Sequence, residues 1–87
     1  MLVVEVAESS LAFDRAEKGS LYARARVQEY WIINLVDRVL EVYREPALDA
    51  SAPCGWAYRV ALTLGSGQHV TPLAAPTARI AVVELLP

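Results

Sequence analysis

The sequence predicts a mixed α/β domain: one strand, one principal helix, then an antiparallel meander. Three observations carry that prediction. The chain opens on a β-branched run, Leu2-Val3-Val4-Glu5-Val6-Ala7, of the kind that favours pleated structure. Helical spacing follows from about Leu11 to Arg26. Thereafter period-two stretches alternate with turn signals and no second helix of comparable length appears, which is a strand–helix–meander order and not a doubly wound one.

In the first strand Leu2, Val4 and Val6 point one way and Val3 and Glu5 the other. The composition suits a buried strand. Glu5 is the odd residue, a carboxylate among aliphatic neighbours, where charge is normally paired or bound to a metal. Glu8-Ser9-Ser10 reads as a turn in which either serine can cap the helix. On that helix Leu11, Lys18, Leu21, Tyr22 and Ala25 are expected on one side, with Asp14, Arg15, Glu17 and Arg24 as the charged remainder. Asp14, Lys18 and Tyr22 recur every four residues and so stand above one another. Gly19 costs roughly 1 kcal/mol inside a helix, a cost that close packing on a sheet or a neighbouring chain would explain.

Glu29-Tyr30-Trp31-Ile32-Ile33-Asn34-Leu35 is the strongest strand signal. Val36-Asp37-Arg38 turns, and Val39 to Arg44 alternates and returns as a hairpin. Residues 45–55, with Pro46 and Pro53, read as a loop. Trp56 to Leu64 is the next strand, Gly65-Ser66-Gly67-Gln68 a turn, and His69-Val70-Thr71 a short strand. Residues 76–80 are extended, and 81–86 close as a helical turn.

Composition narrows the function. The chain has 87 residues, one domain over 1–87, and 55% of them are hydrophobic. A small chain this apolar is expected to bury surface against a second copy, so a homodimer is expected. Net charge −2 argues against broad electrostatic capture of nucleic acid. It leaves room for an enzyme acting on nucleic acid, whose metal-binding carboxylates are themselves acidic. Arg15, Lys18, Arg24 and Arg26 form the one basic group and read as a solvated helix face. Cys54 is alone, which excludes an intrachain disulfide and a cysteine metal site. His69 lacks any acid or cysteine at ligand spacing and reads as a surface histidine. No leader pattern and no membrane-length apolar run is present, so a cytoplasmic protein with no membrane contact is expected.

Glu5, Asp14, Lys18 and Tyr22 are the candidate site residues. For Glu5 the residues alone leave a structural alternative open, a sheet-edge acid paired with Lys18 or an arginine. Lys18 and Tyr22 could equally be packing and snorkelling side chains.

The spaced set Leu2-Val3-Val4-Glu5-Val6, Ser9-Ser10, Asp14-Arg15, Glu17-Lys18, Leu21-Tyr22-Ala23-Arg24-Ala25 and Glu29-Tyr30-Trp31-Ile32 resembles the Uma-type family. That family is a domain of unknown function in the PD-(D/E)XK, restriction-endonuclease-like superfamily. Tyr43, Pro72-Leu73, Arg79-Ile80 and Leu85-Leu86 also fit it. The resemblance implies a restriction-endonuclease-like mixed sheet and Mg2+-dependent hydrolysis of phosphodiesters in DNA. Glu5 would be a metal ligand and Lys18 the lysine that positions water or offsets charge, with Tyr22 and Asp14 in support. Ala7 stands where the superfamily lysine usually falls, two beyond Glu5. Met1 stands where the family pattern has its aspartate, and the preceding proline is missing. The resemblance therefore implies a domain truncated at its N-terminus, holding Mg2+ weakly and cutting poorly or not at all. The rival expectation is a catalytically dead remnant kept as a dimerising module.

Overall fold

The computed structural model describes all residues, 1–87. Its centre is a four-stranded sheet in the order β1-β2-β3-β4: β1 (Leu2–Ala7), β2 (Glu29–Asn34), β3 (Val39–Leu48) and β4 (Trp56–Leu64). β1 runs parallel to β2, while β2, β3 and β4 are antiparallel. One helix over residues 11–24 makes the β1–β2 crossover that a parallel pair requires. A second, two-stranded sheet, β5 (His69–Val70) with β6 (Ile80–Ala81), leads into a 3-10 turn at Val82–Leu85. The expected mixed α/β fold, with one main helix packed on a mixed sheet, is the fold observed.

The period-two sequence of the strands sorts side chains onto two faces. On one face Trp31, Leu40 and Val42 pack against Val70, Val82 and Leu86 of the C-terminal segment. On the other, Ala7, Tyr30 and Ile32 lie with Val3, Leu11, Tyr22, Tyr43 and Tyr58. The chain is thus three layers thick: helix, sheet, tail.

The helix is irregular. It is α-helical at Leu11–Phe13, π-helical at Asp14–Lys18 and α-helical again at Gly19–Arg24. It ends in a Schellman motif: Val27 N–H donates to Tyr22 O at 3.0 Å and Arg26 N–H to Ala23 O at 2.9 Å. Arg26 occupies the left-handed position, φ 60°, where glycine is usual.

Several expectations need correction. β1 is an edge strand and only partly buried: Val4 is 46% and Val6 59% exposed. Leu21 faces solvent at 43% exposure, while Asp14 is buried at 1%. The π segment is the cause, because its wider turn rotates the next stretch of helix and brings Gly19, Ser20 and Ala23 inward instead. No serine caps the helix through its side chain. The strand β3 continues through Leu48, into the residues expected to be a loop. Beyond Arg44 it pairs with β4 alone, so Pro46 sits on an edge, where a missing N–H is tolerated. Gly19 is not forced by crowding: a Cβ there would lie 3.6 Å from Asp14 O and 3.8 Å from Tyr30 Cε2, ordinary contact distances.

Candidate functional site

Glu5 projects from β1 onto the helix-covered face, where strand alternation sends it. Tyr22, one turn from the helix end, donates its hydroxyl proton to Glu5 Oε1 at 2.7 Å. Lys18 Nζ lies 3.4 Å from Glu5 Oε2 and 3.4 Å from Asp14 Oδ1. Ser10 Oγ donates to Asp14 Oδ2 at 3.1 Å. All four sequence-derived candidates, Glu5, Asp14, Lys18 and Tyr22, therefore meet in one cluster, with Ser10 added. The structural reading of Glu5 also holds: it lies on the sheet edge and pairs with Lys18.

The π segment sets this geometry. Gly19 N–H reaches back to Asp14 O, and Tyr30 OH also donates to that carbonyl at 3.2 Å. The helix is thereby pinned to β2 at the residue that carries the buried carboxylate. Desolvation lowers the affinity of Lys18 for its proton, but Asp14 and Glu5 outweigh it and hold the ammonium above its ordinary pKa. The bond to Glu5, with some burial, raises the Tyr22 phenol in turn, so it stays a donor. Lys18 is thus a fixed positive charge between two acids.

A second polar cluster escaped the sequence reading. Glu41 on β3 accepts from Arg15 Nε at 2.8 Å and Nη2 at 2.5 Å, from Tyr43 OH at 2.6 Å and from Asn34 Nδ2 at 2.9 Å. Glu29 does similar work at the other end of β2, accepting from Arg44 Nε at 2.7 Å and from Leu73 N–H at 2.8 Å. The signal for Glu41 was the alternation of Val39–Arg44, which puts Glu41 and Tyr43 on one face. The basic group is largely solvated, with Arg15, Arg24 and Arg26 exposed, but three of its members also have partners. Arg15 binds Glu41, Lys18 binds Glu5 and Asp14, and the Arg26 guanidinium lies 5.8 Å from the centre of the Trp56 ring. His69 is exposed, as expected.

Residues 1–81 match the family described as Uma2, putative restriction endonuclease. The chain belongs to the Uma2 family. No curated protein and no solved structure matches it. An endonuclease-like family suggests a metal cofactor, and the donors can be tested for fit. No three His, Cys, Asp or Glu side chains converge on a point. The two carboxylates that do approach each other already share the Lys18 ammonium. Met1, the residue ahead of β1, offers only a thioether, a poor partner for an oxygen-seeking ion. As it stands, the donor set does not fit a resident magnesium ion. No helix is long and apolar enough to cross a membrane.

Proposed function

We propose that this Uma2 domain acts on the phosphodiester backbone of DNA through the Glu5–Lys18–Asp14–Tyr22 cluster, as a slow or silent endonuclease. The observation that carries the reading is the convergence of Glu5, Lys18 and Tyr22 from two elements in a chain of that family. Each residue has a task it can perform. Lys18 offers a compact ammonium to a phosphate oxygen. Tyr22 fixes the rotamer of Glu5 through Oε1, leaving Oε2 turned toward the Lys18 ammonium. Asp14, held by Ser10, keeps the lysine aimed. Only one strand carboxylate, Glu5, belongs to the cluster, and slow turnover follows from that, with Mg2+ the cofactor the family suggests.

The test is nicking of supercoiled plasmid in Mg2+ or Mn2+ by the wild-type chain and its Glu5→Ala variant. Slow nicking that vanishes in the variant is expected. Equal products from both proteins would remove Glu5 from the chemistry.

One observation favours a second reading, an interaction module that pairs with another copy of itself. β1 is an open edge, and its outer face exposes Val4 and Val6. An unpaired strand edge is a template for another strand.

A further inference from the structure

The misfit between this cluster and a divalent metal has a specific cause. Each carboxylate has one oxygen held by a hydroxyl: Glu5 Oε1 by Tyr22 and Asp14 Oδ2 by Ser10. The other two oxygens, Glu5 Oε2 and Asp14 Oδ1, face the same Lys18 nitrogen at 3.4 Å each. That distance is longer than a charge-assisted hydrogen bond, which runs about 2.7–2.9 Å. Asp14 is 1% exposed, and its Oδ1 accepts no hydrogen bond at all. Such a buried, unsatisfied anionic oxygen is costly unless a cation stands opposite. Charge points the same way: two carboxylates face one ammonium, and Arg15, which follows Asp14 in the chain, is committed to Glu41 through two bonds.

We infer that Lys18 is the resident cation of this cluster: its ammonium stands between Glu5 and Asp14 where a divalent ion would bind, and removing it opens that place to one. The hydroxyls of Tyr22 and Ser10 act as the outer partners that orient carboxylate ligands in metal sites. Two carboxylates with water completing the shell suffice for an ion of the magnesium type. In the wild-type chain such an ion must displace a tethered ammonium, so its binding is weak. A neutral side chain of similar length removes the competitor and leaves a charge of −2 to be neutralised.

The experiment is Mn2+ titration by calorimetry on the wild-type chain, on Lys18→Met, and on Lys18→Met combined with Asp14→Asn. Lys18→Met should bind one Mn2+ at least about tenfold more tightly than wild type, a difference of about 1.4 kcal/mol. The combined variant should lose that gain. Mn2+ should also raise the melting midpoint of Lys18→Met and leave that of wild type nearly unmoved. Equal affinity in wild type and Lys18→Met overturns the inference, as does tight binding that survives Asp14→Asn. If Lys18→Met does not fold in metal-free buffer, refolding in Mn2+ should restore its circular dichroism spectrum, and a spectrum that stays unfolded overturns the inference too. These readouts are binding and stability, so plasmid left uncut bears on the nuclease reading alone.

Discussion

Glu41 shows how much a single buried acid can contribute here. Burial by itself would raise its pKa, but bonds from Arg15, Tyr43 and Asn34 outweigh that and hold it below its ordinary 4.5. The sign of the pH dependence comes from that lowering. As pH falls below 4.5 the unfolded chain takes up this proton before the folded one does, so stability falls with pH until the folded carboxyl is also protonated. Glu41→Gln keeps the shape but removes the charge and turns an amide toward donors. It should cost about 1.5–3 kcal/mol at neutral pH, the range for bonds to a charged group. It should also flatten the acid limb: thermal melts between neutral pH and about pH 3 should show a shallower fall in midpoint for the variant. A limb as steep as wild type would assign the acid sensitivity to other carboxylates.

The helix is where local pattern and tertiary structure part company. Strands β1, β2 and β4 and the first half of β3 were legible because alternation and turn residues survive any packing arrangement. The cluster was legible for a related reason, since spacing four keeps Asp14, Lys18 and Tyr22 near one another even through the π segment. The faces of the helix were not legible, because assigning them assumes an unbroken 3.6-residue period and the π turn resets it at Lys18. Nor was the partner of Arg15, which comes from β3, 26 positions away. Gly19 now reads differently. Its φ of −58° is ordinary for a helix, and a methyl group there would make only normal contacts. Gly19→Ala should therefore stabilise the fold, by about 0.5–1 kcal/mol. In a chain of this size that is a rise of several degrees in melting midpoint. A fall would mean that the π turn itself needs glycine at its end.

The three layers do not cover the sheet evenly. The tail shields Trp31, Leu40 and Val42, and the helix shields Tyr30 and Ile32, yet the outer face of β1 keeps Val4 and Val6 in water beside a row of unpaired backbone groups. Two copies related by a two-fold axis could set β1 against β1 in antiparallel fashion, extending each four-stranded sheet to eight strands. That pairing would place four valines in one apolar strip on the face opposite the helices. Glu5 of each copy would carry its own Lys18 into the pairing, which limits repulsion between the like charges. A lysine at an edge is the usual device against such pairing. Light scattering at rising concentration should therefore show wild type moving toward twice the chain mass and Val6→Lys staying at one. A wild-type chain that stays monomeric throughout would remove the interaction-module reading, and the exposed edge would then carry no self-association. Were both proteins to dimerise equally, the interface would lie elsewhere, and β4, the opposite edge of the same sheet, would be the next strand to substitute.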